Sequence, residues 1–304
     1  MKKRQLSCSF VEELLKGKFN PVLKLVQEDD TIDMEMRGDS IIVYYRGGKL
    51  FELFEDGNMS PLDSQYGTTD DELSIGSLTS YCQQAKHLID TYQITVVNNL
   101  GEREISQRIV MENNYSPYSY DTDYFIIDME FKHDYQFDLV ALKWESTKSA
   151  HRTKKCKIAI LETKQGKSTL RSSKSNPGLN RHFADYLEFL KSDSLDDFKN
   201  DMIEIFKQKC ILGLIKGIND KGLKVDENTK FKLDKDIEFI AIVSNYKLAS
   251  DNLANELDEM PENNTCKFAI SSFMGYGLFS NCIVDFTKFK KMINKNKVDD
   301  KQNN

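Results

Sequence analysis

A run of four apolar residues, Ile158-Ala159-Ile160-Leu161, passes without a break into Glu162-Thr163-Lys164-Gln165. A short apolar run containing β-branched residues predicts a strand buried on both faces. Side chains alternate along a strand, so Glu162 and Lys164 share one face and Thr163 takes the other. A carboxylate and an ammonium at the end of a buried strand are costly unless something uses them. Upstream, Phe137-Asp138-Leu139-Val140-Ala141-Leu142 is a second apolar run in which Asp138 is the only acid. The 24 residues from Asp138 to Glu162 are enough for the rest of one strand, a loop and a return alongside it.

Hydrophobic period supplies the neighbouring elements. Residues 101–113 read as a helix with Ile105, Ile109 and Val110 on one face. Strands are expected over 124–131, 137–144 and 157–161, then helices over 179–191 and 194–214. A buried strand at 237–244, a helix at 248–257, a strand at 266–273 and a terminal element at 283–293 complete the pattern. Hairpin-joined strands followed by helices predict a mixed α+β chain of the α/β kind, with a central mixed sheet flanked by helices. Residues 1–100 read as a smaller N-terminal α+β unit, with helical pieces split by Asn20-Pro21 and strands over 32–37, 40–46 and 49–54. Gly47-Gly48 is the expected hairpin turn, because glycine tolerates positive φ. A further helix is expected within 73–92. The resulting division is 1–100, 101–293 and a polar tail at 294–304.

Composition narrows the classes. The 304 residues are 39% hydrophobic and 30% charged, which suits a folded chain. No run approaches the ~20 apolar residues of a membrane helix, and no apolar segment follows the basic start. A soluble, cytoplasmic protein with no membrane partner is the expectation. Six cysteines form no C-x-x-C pair, and four histidines form no H-x-x-x-H, which argues against zinc and redox motifs. The net charge is −6, but the window 143–181 holds eleven basic residues against Glu145 and Glu162. That window is +9 and the remainder −15. Such asymmetry suggests a local site for a polyanion; a solvated basic loop is the simpler account.

Asp138 with Glu162-Thr163-Lys164 resembles the D…(D/E)-x-K signature of the PD-(D/E)XK nuclease superfamily. The restriction-endonuclease-like core of that family is a helix, three strands, a helix and a strand. The order expected over 101–244 is similar, with one helix more, and residues 1–100 lie outside the resemblance. The chain holds four (D/E)-x-K matches: Glu130-Phe131-Lys132, Glu162-Thr163-Lys164, Asp197-Phe198-Lys199 and Asp299-Asp300-Lys301. Only the second combines an upstream strand aspartate, a buried strand leading in and a helix after it. Phe137 stands where the family pattern has a proline before the aspartate.

The resemblance implies a metal-dependent nuclease that hydrolyses phosphodiester bonds, in DNA rather than RNA, with Mg²⁺ or Mn²⁺ as cofactor. Asp138, Glu162 and the backbone carbonyl of Thr163 would hold the metal. Lys164 would orient or deprotonate the attacking water, or stabilise the pentavalent phosphorus. The family often adds a glutamate from the first helix; Glu104 is the candidate and Glu102 the alternate. Glu130 and Gln165 are further candidates. Lys154, Lys155 and Lys157 before the motif strand, and Lys167, Arg171, Lys174, Arg181 and His182 after it, would flank the site and contact phosphates. A double-strand cutter would form a homodimer, although the sequence carries no interface signal. Two other accounts stay open. One is a nuclease-fold nucleic-acid-binding or regulatory module without catalysis, favoured by the −15 remainder. The other is a plain Glu162–Lys164 ion pair with Asp138 in a turn.

Overall fold

The computed structural model describes residues 3–97, 101–115, 121–132, 135–165, 178–216, 218, 223–244, 251–260, 265–271, 275, 277–278 and 283–293. Lys167, Arg171, Lys174 and the tail at 294–304 lie outside these residues.

Two short helices open the chain. Ser7 Oγ accepts the backbone N–H of Phe10 at 3.0 Å and caps α1 (Cys8–Lys16). Pro21 falls in the first turn of α2 (Asn20–Glu28), where its missing N–H has no partner to lose. Strands β1 (Ile32–Met36), β2 (Ser40–Tyr45), β3 (Gly48–Phe54) and β4 (Met59–Ser60) follow as an antiparallel sheet in sequence order. The β2–β3 turn is Arg46-Gly47, one residue earlier than the glycine pair suggests. Tyr45 pairs with Gly48, and Arg46 and Gly47 both have positive φ, 48° and 76°, as a two-residue I′ turn demands. Helix α3 (Leu78–Tyr92) packs on β3; it starts later than its apolar spacing allows.

The second sheet begins behind α4 (Glu102–Val110). β5 (Tyr124–Lys132), β6 (Gln136–Lys143) and β7 (Lys155–Gln165) form an antiparallel meander, with the short helix α5 (Lys148–Thr153) between the last two. Helices α6 (Leu179–Phe189) and α7 (Leu195–Ile211) come next, then β8 (Lys232–Leu233) beside the start of β7. β9 (Glu238–Ser244) lies parallel to β7. After α8 (Asp251–Glu259), β10 (Cys266–Ser271) runs parallel to β9 and β11 (Val284–Asp285) antiparallel to β10. The lateral order is β5-β6-β7-β9-β10-β11. The fold is therefore mixed α/β, with a mixed sheet flanked by helices. β7 is much longer than its apolar run, because Glu162 to Gln165 stay paired with β9 as far as Ser244. No helix among the described residues is long and apolar enough to cross a membrane.

Thr163 faces α4, where Ser106 Oγ lies 3.2 Å from its hydroxyl. Its neighbour Glu162 faces α6 through His182. The motif strand is thus sandwiched between two helices, as its burial on both sides requires. Phe131 and Phe189 meet Phe198 of α7 edge-on, and Phe125 packs on Phe206, so α7 covers β5.

The two sheets share one apolar core, and charges are buried where they meet. Arg4 and Arg37 both bind Asp128 of β5, Arg37 Nη1 at 3.0 Å. Lys209 of α7 binds Glu35 of β1 at 2.8 Å, with both side chains at most 1% exposed. Tyr115 donates to Asp33 Oδ1 at 3.0 Å. A Cβ on Gly47 would come 2.6 Å from the backbone of Arg103, so the β2–β3 turn presses directly on the start of α4.

Candidate functional site

The β6–β7 ladder ends at Leu139 and Leu161, and the motif residues lie just beyond that last pair. Asp138 Oδ2 accepts two hydrogen bonds from Thr163, one from the backbone N and one from Oγ1, both at 2.8 Å. This pair of hydrogen bonds fixes Asp138 against the residue that follows Glu162. Glu162 is fully buried. Its Oε1 accepts from Lys164 Nζ at 2.6 Å and stands 3.1 Å from His182 Nε2. Its Oε2 is buried with no hydrogen-bond partner. One carboxylate oxygen therefore faces two nitrogens while the other faces none.

Electrostatics follow from an excess of carboxylates. Burial pushes the Glu162 carboxyl well above its usual range, and the charges of Asp138 and Glu102 push the same way, with Lys164 opposing. Burial pulls the Lys164 ammonium down, yet Glu162, Asp138 and Glu102 together hold it above its ordinary value. Lys164 therefore keeps its charge beside the carboxyl groups of Glu162, Asp138 and Glu102.

The two glutamates of the first helix have different surroundings. Glu104 is committed elsewhere, to Arg46 Nη2 at 3.1 Å and Arg108 Nη2 at 2.7 Å. The reason is the β2–β3 turn, which brings Arg46 against that side of α4. Glu102, the alternate, adds its charge to those acting on Glu162 and Lys164.

Lys154, Lys155 and Lys157 are corrected. They sit at the opposite end of β7 from Glu162; Lys157, at five residues, is roughly 17 Å away. An antiparallel β6–β7 pair puts its connection at the end remote from Asp138, so the loop before the motif strand does not flank the motif. Arg181 is exposed and pairs with Asp185 at 3.0 Å. His182, expected at a phosphate, meets Glu162 instead.

Glu130 stands in β5 with a φ of 58° and pairs with Arg103 at 3.3 Å. Burial raises its carboxyl, with Arg103 opposing and the Asp138 charge adding to the rise, so it borders the site. Gln165 closes β7 beside Ser244. Ser106 and Arg103 were not expected from the sequence; their only signal is their position in the helix before the strands.

Asp138 and Glu162 supply the two carboxylates that a hard cation would take. Among the described residues, no group of three or more His, Cys, Asp and Glu side chains is arranged to hold a metal ion. Comparison of the chain with protein-family models, with curated proteins and with solved structures finds no match.

Proposed function

We propose that the chain is a Mg²⁺- or Mn²⁺-dependent nuclease of the PD-(D/E)XK kind, acting on DNA. The observation that carries this reading is the convergence of Asp138 and Lys164 on Glu162, whose buried Oε2 has no partner. The element order from α4 through β9 supports it: a helix, three antiparallel strands with the short helix α5 between the last two, two helices, and, after the two-residue β8, a strand parallel to the third. Two carboxylates suit Mg²⁺, which usually keeps several waters and takes one or two protein carboxylates. A bound divalent ion would activate water and neutralise charge on the phosphate. Asp138, steadied by Thr163, and Glu162, steadied by His182, would hold it. Lys164 would orient the attacking water and offset charge on the phosphorus. Glu102 would order waters at the edge of the site.

The test is incubation of the full chain with supercoiled plasmid, linear duplex and single-stranded DNA in Mg²⁺, Mn²⁺ or EDTA. Cutting in either metal and none in EDTA is expected. No cutting in any condition overturns the reading.

A second reading is a nucleic-acid-binding or regulatory module that keeps this arrangement without catalysis. It is favoured by Lys164 and His182 already engaging Glu162, and by the absence of a three-ligand group among the described residues. It predicts DNA binding that is unchanged by EDTA and never followed by cutting.

A further inference from the structure

We propose that the chain carries a second site, for a sugar phosphate, at the end of the central sheet remote from Glu162. The proposal is independent of the nuclease reading. A cleft of about 360 Å³ opens there, at the small end of the range for small-molecule sites. Lys143 of β6, Lys155 and Lys157 of β7, and Lys267 of β10 line it. Three of these lysines are set in place by carboxylates that also line the cleft. Glu145 lies 3.6 Å from Lys143, Asp234 lies 3.6 Å from Lys157, and Glu238 binds Lys267. Glu238 is itself fixed, accepting the Tyr124 hydroxyl at 2.5 Å. Lys155 is exposed and has no ion pair among the described residues. Four ammoniums against three carboxylates leave the cleft positive. Lys143 and Lys157 each stand 3.6 Å from one carboxylate, and an ammonium carries three N–H donors, so each keeps donors for a ligand. Lysine binds phosphate as a point charge.

The rest of the lining decides what carries the phosphate. The hydroxyl residues Thr147, Ser149 and Thr153 border the cleft beside Glu145 and Asp234. Carboxylates accept hydrogen bonds from sugar hydroxyls, and the serine and threonine hydroxyls can donate or accept. Among the described residues no aromatic side chain lines the cleft, and Ala150 and Cys156 are its apolar members. A nucleobase would find neither a stacking surface nor an apolar slot. A polyhydroxylated phosphate monoester matches the lysines, carboxylates and hydroxyls of the wall.

Thermal melting and titration calorimetry of the full chain test this, with glucose 6-phosphate and ribose 5-phosphate as probes beside glucose and inorganic phosphate. The sugar phosphates are expected to raise Tm by about 2–4 °C at roughly ten times Kd. Inorganic phosphate is expected to bind roughly tenfold or more weakly, because it lacks the hydroxyl contacts, and glucose not at all. The exposed position of Lys155 lets Lys155→Glu melt as the wild type does, with the ligand-induced shift abolished; Lys155→Gln provides the same readout without reversing the charge. Absence of heat and of any Tm shift with both sugar phosphates overturns the proposal. So does inorganic phosphate binding as tightly as they do, or a shift that survives both Lys155 substitutions.

Discussion

Glu162 and His182 meet between β7 and α6, with the imidazole Nε2 3.1 Å from Glu162 Oε1. Lys164 Nζ reaches the same oxygen at 2.6 Å. Two nitrogens on Oε1 set the rotation of the carboxylate, and with it the direction in which Oε2 points. His182 sits in the first turns of α6, so the helix after the motif strand contributes to the site by orienting a carboxylate.

His182→Ala should therefore weaken metal binding or cutting by about 10–100-fold, the usual cost of losing a group that orients a metal ligand. His182→Gln, which retains an N–H donor, should recover part of the loss. Mn²⁺ titration of the full chain, read beside DNA cleavage, checks both. Equal Mn²⁺ affinity and cleavage in wild type and His182→Ala would remove His182 from the site.

The two glutamates of α4 should separate cleanly. Glu104→Gln removes the charge that pairs with Arg46 and Arg108 and turns one acceptor oxygen into a donor; it should cost roughly 1.5–3 kcal/mol of stability, with cutting by the folded chain unchanged. Glu102→Gln should lower cutting and leave the urea midpoint close to that of the wild type. Urea unfolding beside a cleavage assay reads both variants. The reverse pattern would return Glu104 to the site.

Asp128 is buried against Arg4 and Arg37, which hold its carboxyl below the ordinary range in spite of burial. Asp128→Asn takes the counter-charge from Arg4, leaves Arg37 with Glu35 at 3.9 Å, and should cost roughly 3–5 kcal/mol. A denaturant midpoint equal to that of the wild type would contradict the role given to this contact between the sheets.

Glu35 should give the opposite pH behaviour from a surface carboxylate. Burial, with Asp33 and Asp128 beside it, lifts its carboxyl well above 4.5 despite Lys209. A raised folded value means that the folded chain holds the proton more tightly. Its stabilisation is complete below about 4.5 and is lost as pH rises through the folded value. The stability of the wild type relative to Glu35→Gln should increase as pH falls from 8 towards 5. Urea unfolding across that range measures it; a difference that shrinks on acidification would contradict the assignment.

Much of the central sheet was legible because its strands are nearly pure apolar runs. Asp138 and Glu162 stood out as the charges interrupting them, and their approach follows from one hairpin-like return. Glu102 and Glu104 could not be separated on the same basis. Both lie in the first turn of α4, about 200° apart around its axis, and the choice depends on a turn some 55 residues earlier that delivers Arg46. The basic segment misled for a topological reason: proximity in sequence to Glu162 does not overcome the length of β7. Asp33 and Glu35 alternate with Ile32, Met34 and Met36 and read locally as a solvent face. Their burial depends on Lys209, 174 residues away from Glu35, and on Tyr115, contacts that no local pattern carries. Lys209 itself follows the α7 apolar stripe of Phe198, Met202, Ile205 and Phe206, which was the one available sign that it points inward.

The most direct measurement is the rate of plasmid cleavage in Mg²⁺ and in Mn²⁺ for the wild type beside Asp138→Asn and Lys164→Ala, with folding of each variant verified by circular dichroism. The account predicts metal-dependent cutting by the wild type and its loss in both folded variants. Cutting that persists in either folded variant, or a wild type that binds DNA and never cuts it, would contradict it.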